Sequence, residues 1–320
     1  MKKIKFSIFL IVFLFIIFYL YYKQGVLPYN KNDKSTKIFV IRPGESLINI
    51  IDNLAKEDLI RSKIVFRLVV EQLGIGRKIQ AGDFRLSPSM NAYEIAKTLT
   101  HGTLDLWLTI VEGLRKEEIA EIVSKKFNIR EIEFISLTQE GYLFPDTYLI
   151  PKNANSEIVI SILKRNYKNK VNENIINQAK TKGLTENELI ILASIVEKEA
   201  KYKDDKVKVG SILLKRLKNN WPLQADATIQ YALGYQPKEK TWWKKYLTIN
   251  DLKIDSPYNT YKYTGLPPLP ICNPGLDSIN AIINADEKII YWFYLSDKTG
   301  KMHYSVTLDE HERNIKKYLN

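Results

Sequence analysis

The feature that most constrains this chain is an uninterrupted apolar run from Phe6 to Tyr22. Lys2, Lys3 and Lys5 precede the run, and two of the last three residues within it, before Lys23, are tyrosines. A run of this length and composition predicts one membrane-spanning helix, because every backbone polar group is then bonded inside the helix. The rest of the chain is therefore expected to form folded domains that follow an N-terminal membrane anchor.

The charges around the run predict its orientation. Basic residues before an apolar segment favour the cytoplasmic side, and tyrosines suit the membrane–water interface. We therefore expect a cytoplasmic tail at 1–5, a transmembrane helix at 6–22 and the remainder outside the cytoplasm, on the periplasmic face of the inner (cell) membrane. A cleaved signal peptide is the alternative, although no small-x-small cleavage site follows the run.

The composition indicates a folded protein without a metal centre. Of 320 residues, 45% are hydrophobic, which is enough to form buried cores. The formal charge of +12 is spread over lysines that alternate with acidic residues, so we expect no nucleic-acid partner. Cys272 is the single cysteine, and the histidines are His101, His303 and His311. No zinc-type spacing exists among them, so we predict no metal and no cofactor, and a buried Cys272.

Beyond the anchor, the sequence predicts an α+β fold built from several small units. A polar linker over 23–37 leads to a first unit at 38–102 and a second small α/β unit at 103–140. A larger mixed α+β domain, which we predict to be the catalytic domain, follows at 141–320. No Gly/Ser/Pro-rich linker separates the last two.

The first unit has the order strand, helix, helix, strand. Ile38–Ile41 is a β-type run, followed by a turn over Pro43–Glu45. Ser46 and Ser62 are placed to cap two amphipathic helices, and a strand is expected around Phe84–Leu86. This order, headed by VIRPGESLINIIDNL, resembles the LysM-like βααβ subdomain, which is associated with glycan binding. A plain structural unit is the alternative.

The segment EGYLFPDTY, at Glu140–Tyr148, concentrates aromatic rings in one loop. Such rings suit sugar faces, but Tyr142, Phe144 and Tyr148 could equally anchor the loop to a core. The residue pattern leaves both interpretations open.

An apolar helix carries the strongest candidate for an acid. Thr185 and Glu188 have the spacing of a capping box, and the helix they begin is apolar almost all round. Glu197 projects into the apolar sector, so burial is expected to raise its pKa as a general acid requires. Glu199 also projects between apolar neighbours, and the residue pattern alone does not separate the two.

Several strings in order resemble one family. LASIVEKEA, LLKRL, WPLQADATIQYALG, SPYNTYKYTGLPPLPICNPG and HYSVTLDEHERN, with EGYLFPDTY before them, resemble the endolytic murein transglycosylases, also called MltG or YceG-like proteins. The resemblance extends from about Ile38 to the C-terminus. It implies that Glu197 is the catalytic acid/base. It also implies that these polar residues bind the glycan: Gln224, Asp226, Thr228, Ser256, Tyr258, Asn259 and Thr260.

The resemblance further implies the reaction. A lytic transglycosylase of this kind cuts the β-1,4 bond between N-acetylmuramic acid (MurNAc) and N-acetylglucosamine (GlcNAc) in nascent peptidoglycan strands, leaving 1,6-anhydro ends. One carboxyl group serves as acid and then as base. Peptidoglycan synthases are the protein partners it implies. The alternatives are a hydrolytic muramidase using Glu197 with Asp226, and a non-enzymatic wall-binding or division scaffold.

Overall fold

The computed structural model describes residues 2–42, 44–100 and 105–319, so Pro43 of the predicted turn and His101 lie outside it. The described chain is a mixed α+β protein, with helices and three two-stranded sheets. It divides into two compact units. The first comprises the described residues up to Leu106 together with Pro151–Asn153, and the second runs over Trp107–Ile150 and from Ala154 onward.

The first unit has the strand, helix, helix, strand order that the sequence predicts. The Ser46 side chain accepts from the Asn49 amide and the Ser62 side chain from the Val65 amide, so both predicted caps are confirmed. The elements are α1 Lys2–Val26, β1 Lys37–Ile41, α2 Leu47–Lys56, α3 Lys63–Gln72, β2 Gly82–Leu86 and α4 Ala92–Thr98. Strands β1 and β2 pair antiparallel.

Helix α1 contains the N-terminal apolar run and continues to Val26. Its last turns pack on α3: a Cβ added at Gly25 would lie 2.5 Å from Val65 Cγ2, so only glycine allows this approach. The Tyr22 hydroxyl donates to the Gln72 side chain at 2.8 Å. Within the part of the chain that the structure describes, no helix combines the length and apolarity needed to cross a membrane.

The second unit holds most of the chain. Its sheets pair β3 with β4 and β5 with β6. The elements are β3 Leu106–Thr109, α5 Lys116–Lys126, α6 Glu131–Leu137, β4 Thr147–Ile150, α7 Ser156–Lys170, α8 Glu173–Thr181, α9 Glu186–Glu199, α10 Lys203–Lys218, α11 Asp226–Leu233, a 3-10 helix Asp251–Lys253, α12 Leu276–Ile283, β5 Phe293–Ser296, β6 Met302–Ser305 and α13 Leu308–Tyr318.

Helix α9 is the centre of this unit. The predicted capping box is present, because the Thr185 side chain accepts from the Glu188 amide and the Glu188 side chain accepts from the Thr185 amide. Every residue from Leu189 to Val196 is buried. A helix that is apolar on all sides must be covered on all sides, and α8, α10, α11 and α12 pack around it.

The side chains of the aromatic loop at Glu140–Tyr148 anchor this loop to the core. Phe144 and Tyr148 are buried, and the Tyr148 hydroxyl donates to the Phe144 carbonyl. Glu140 is buried too and accepts from the Lys116 amide at 3.0 Å and from Asn273 Nδ2 at 2.9 Å. Burial raises the pKa of Glu140 to about 8. These contacts favour the structural interpretation of the loop.

Cys272 is fully buried, as the sequence predicts, and its thiol donates to the Ser194 carbonyl at 3.3 Å. Ser194 Oγ accepts from the Ile271 amide at 3.0 Å. The proline-rich segment before α12 is thereby fixed against α9.

Candidate active site

The last turn of α9 carries both candidate acids. Residues two apart on a helix project about 200° apart, so Glu197 and Glu199 face opposite sides. The helix ends directly after them, because Ala200 has extended backbone angles. The two carboxyl groups therefore meet different surroundings.

Glu197 is held by three protein donors. Lys206 Nζ lies 2.8 Å from Oε1, and Oε2 accepts from the Gly275 amide at 2.9 Å and from Ser278 Oγ at 2.7 Å. The Lys206 and Glu197 side chains are only 5% and 8% exposed. Both carboxylate oxygens are thus engaged in a buried ion pair that joins α9 to α10 and to the start of α12.

A third carboxyl group, Glu112, lies beside this ion pair. A Cβ added at Gly275 would come within 1.8 Å of Glu112 Oε1, so a larger residue there would have to displace the exposed Glu112 side chain. Partial desolvation, and then the negative charge of Glu197, raise the pKa of Glu112. Glu112 is therefore an acidic neighbour of Glu197.

Glu199 instead faces a cavity of about 410 Å³. Strands β5 and β6 and the C-terminal helix α13 form further walls, the helix through Leu308, His311 and Ile315, and Leu319 directly after it also contributes. The polar side chains that line the cavity are Glu199, Arg216, Gln224, Asp226, Tyr261, Tyr294, Ser296 and His311.

The electrostatics of the cavity favour a protonated Glu199. Burial raises its pKa to about 7, and the negative charge of Asp226 adds to the effect. The Ala227 amide, which donates to Glu199 Oε1 at 3.3 Å, and the nearby Tyr294 and Arg216 offset part of this rise. A carboxyl group with this pKa can both donate and accept a proton near neutral pH.

Arg216 supplies a fixed positive charge to the cavity wall. Its guanidinium donates to the Trp292 carbonyl through Nε at 2.9 Å and Nη2 at 2.6 Å, and to the Leu223 carbonyl through Nη1 at 2.6 Å. The side chain is buried, so its orientation is set by these backbone groups. The sequence analysis did not find Arg216, because an arginine at the end of an amphipathic helix normally faces solvent.

Two of the predicted glycan-binding residues meet at Glu199. Gln224 has a backbone φ of 50°, which is unusual for a residue other than glycine. Its backbone N–H donates to the Thr260 carbonyl at 3.1 Å. Asp226 begins α11 and accepts from the Tyr261 hydroxyl at 2.6 Å. The structure therefore places Gln224 and Asp226 beside Glu199, where the sequence analysis had grouped them with Glu197.

Three other predicted binding residues do not line the cavity and are bonded within the fold. Thr228, Asn259 and Thr260 are buried. The Thr228 and Thr260 hydroxyl groups bond each other at 2.9 Å, and Asn259 Nδ2 donates to the Leu252 and Ile254 carbonyls. These hydrogen bonds hold the SPYNT loop in its conformation.

Tyr258 and Ser256 lie away from Glu199. Tyr258 packs against Tyr231 with ring centroids 4.8 Å apart. Ser256 lines a separate groove with Tyr263 and Leu266. Neither side chain lines the cavity that contains Glu199.

Tyr261, Tyr294 and His311 line the cavity but were not predicted as site residues. Tyr261 directly follows the SPYNT string, which was a usable signal. Tyr294 and His311 come from β5 and α13, far along the chain from α9, and no local pattern links them to Glu199. Within the described ranges, no three His, Cys, Asp or Glu side chains are arranged to hold a metal ion.

Comparison with known proteins decides the family. The YceG-like family matches residues 39–317. The chain belongs to the YceG-like family. It is 32% identical over 334 residues to the endolytic murein transglycosylase of Bacillus subtilis, covering 94% of this chain and 90% of that protein.

Other members of the YceG-like family show the same likeness. The endolytic murein transglycosylase of Streptococcus pneumoniae serotype 2 is 27% identical over 344 residues, which cover 94% of this chain and 62% of that longer protein. A crystal structure of a YceG-like protein from Listeria monocytogenes has a TM-score of 0.57 and 28% identity, covering 88% of this chain and 99% of that one.

Proposed function

We propose that this protein is an endolytic murein transglycosylase that cuts peptidoglycan glycan strands and leaves 1,6-anhydro-MurNAc ends. Family membership and the names of the relatives support the reaction class. The observation that carries the proposal is the cavity itself, which holds one carboxyl group with a pKa of about 7 and open space in front of it.

We assign the acid/base role to Glu199. Glu197, which the family resemblance implies, has both carboxyl oxygens bound by Lys206, Gly275 and Ser278. A carboxyl group with both oxygens bound must break protein contacts to reach a sugar. Glu199 instead faces the cavity, where Gln224 and Asp226 accompany it.

The geometry supports the following reaction. Protonated Glu199 donates its proton to the glycosidic oxygen as the bond from that oxygen to C1 of MurNAc breaks. The resulting carboxylate then takes the proton from the C6 hydroxyl of the same MurNAc, whose oxygen forms a bond to C1 and closes the 1,6-anhydro ring. Asp226 acts through Glu199, because its negative charge keeps the acid protonated before the first step.

The product separates this reaction from hydrolysis. Digestion of uncrosslinked glycan strands should give fragments whose muramic ends lack the mass of one water and resist borohydride reduction. Asp226 lies close enough to Glu199 to make a two-carboxylate muramidase the second candidate, and that enzyme leaves reducible ends. Mass spectra before and after reduction distinguish them; mainly reducible ends would exclude the transglycosylase.

The pH dependence should report the pKa of Glu199. The acid must be protonated in the free enzyme, so we expect kcat/KM to fall as pH rises through about 7. Asp226→Asn removes the charge that raises this pKa, so the descending limb should move to lower pH. Asp255→Asn, at an exposed ion pair with Lys262, is the matched control and should leave the profile unchanged. A profile unaffected by Asp226→Asn would contradict the coupling.

We also propose that the N-terminal segment anchors the protein in the cell membrane with its catalytic unit outside. The apolar run preceded by lysines supports this. Protease added to intact spheroplasts should digest the C-terminal part while the N-terminus stays protected. Protection of the C-terminal part, or release of a shortened soluble form, would contradict the anchor.

The βααβ unit is proposed as a LysM-like glycan-binding element, and peptidoglycan synthases as partners. The pairing of β1 with β2 around two capped helices supports the first. If the unit binds glycan, the full chain should cosediment with insoluble peptidoglycan, and failure to cosediment would contradict glycan binding. If synthases are partners, they should copurify with the full chain, and failure to copurify would contradict that proposal.

A further inference from the structure

Two buried side-chain atoms in the described residues, Tyr294 Oη and His311 Nδ1, have no hydrogen-bond partner. Both residues line the cavity that contains Glu199. Buried polar groups in proteins are almost always hydrogen-bonded, and each exception calls for an explanation such as a catalytic role or a bound group. Their location in one cavity therefore points to a ligand group that has both a donor and an acceptor.

Tyr294 contrasts with its neighbour in the sheet. In the β5–β6 pair, Tyr294 is directly opposite Tyr304, whose hydroxyl donates to Asp205 at 2.6 Å. The Tyr294 hydroxyl lies near enough to Glu199 to lower its pKa, but the two form no hydrogen bond of normal distance and angle. Burial raises the pKa of Tyr294 well above its usual value, so the hydroxyl stays protonated and can donate.

His311 offers the complementary atom. Its ring stacks on Phe293, with centroids 5.2 Å apart and planes at 22°. Burial, and then the positive charge of Arg216, lower the pKa of His311, which leaves a neutral ring above that pKa. A neutral imidazole has one nitrogen without a proton, and Nδ1 can take this role as an acceptor.

The lining of the same cavity also includes apolar side chains, among them Leu295, Met302 and Ile315. A hydroxyl donor, a nitrogen acceptor and a small apolar surface match a secondary amide, whose carbonyl accepts, whose N–H donates and whose methyl or methylene group needs burial. We propose that Tyr294 and His311 form an amide-binding subsite beside Glu199. This inference depends on the proposed function, since peptidoglycan carries such amides in the N-acetyl groups of its sugars and in its stem peptides.

The test measures kcat/KM of the full-length protein on three strand preparations: native, stripped of stem peptides, and peptide-free with the sugars de-N-acetylated. On the peptide-free N-acetylated strands, Tyr294→Phe and His311→Ala should each lower kcat/KM about tenfold, the effect of one hydrogen bond. On de-N-acetylated strands the same substitutions should have little further effect, because the group they bind is gone. His311→Asn, which keeps a polar atom near the Nδ1 position, should recover part of the loss.

Tyr304→Phe is the matched control, since it removes a hydroxyl from the same sheet that is already bonded within the protein. It should behave like wild type on all three preparations. If the penalty of Tyr294→Phe appears only on strands that carry stem peptides, the amide is that of the peptide. An equal penalty on all preparations, including de-N-acetylated strands, would overturn the subsite.

Binding separates failure of this inference from failure of the proposed function. In a Glu199→Gln background, the affinity for peptide-free N-acetylated strands should fall about tenfold with Tyr294→Phe, whichever carboxyl group performs the chemistry. Full turnover by Glu199→Gln would overturn the acid assignment alone. Unchanged affinity in Tyr294→Phe would overturn the subsite alone.

Discussion

Glu199→Gln is expected to lower kcat on glycan strands by about a thousandfold, while the protein remains folded. The amide is nearly the size of the carboxyl group but cannot transfer a proton, and general acid–base catalysis contributes typically 10²- to 10⁴-fold. Among the residues that the structure describes, Glu199 takes part in no ion pair, and the oxygen of a glutamine side chain can still accept the hydrogen bond from the Ala227 amide. Rates measured on purified strands, together with circular dichroism, provide the check.

Glu197→Gln is the matched control, two residues away on the same helix. It should retain activity within about tenfold of wild type in the folded fraction, since its contacts are with Lys206, Gly275 and Ser278. The reverse outcome, an inactive Glu197→Gln beside an active Glu199→Gln, would assign the acid/base role to Glu197, as the family resemblance implies.

Lys206→Met should destabilise the second unit by about 3 kcal/mol or more, because it leaves Glu197 as a buried charge without its counter-ion. The double variant Glu197→Gln with Lys206→Met should recover part of that loss, since the neutral amide can still accept from the Gly275 amide. Chemical unfolding followed by tryptophan fluorescence reports this unit, because all five tryptophans of the chain lie in it.

Lys203→Met is the control for that measurement. Lys203 faces Asp277 at 3.6 Å, but its side chain is 69% exposed. Exposed ion pairs contribute about 0–1 kcal/mol, so a small change is expected. If the free energy of unfolding of Lys206→Met equals that of Lys203→Met, the buried ion pair does not stabilise the fold.

Local features of the fold could be predicted from sequence because they depend on neighbouring residues. Ser46, Ser62 and Thr185 cap helices within three residues of their own position, and all three caps are present. The α+β class follows from the same local patterns. The end of α1 was harder to predict, since the helix continues to Val26, past the apolar run, where Gly25 packs against Val65 on α3.

The residue pattern alone does not separate the two candidate acids, because both glutamates project between apolar neighbours on α9; the family resemblance implies Glu197, whereas we propose Glu199. What distinguishes them is supplied by distant elements: Lys206 from α10 and Gly275 from the start of α12 close around Glu197, whereas β5, β6 and α13 leave a cavity at Glu199. Asp226, the candidate for a second carboxyl group, lines the cavity that contains Glu199, and its role stays a prediction. Residue spacing predicts faces of a helix and not what covers each face.

Helix α13 gives the cavity one of its walls, although it is the final helix of the described chain. Synthesis proceeds from the N-terminus, so Glu199 is made well before Leu308 and His311. Until α13 docks, the cavity at Glu199 lacks this wall. In the reaction that we propose, water entering from that side would compete with ring closure, so a chain that lacks a docked α13 would carry Glu199 without the enclosure that the reaction needs.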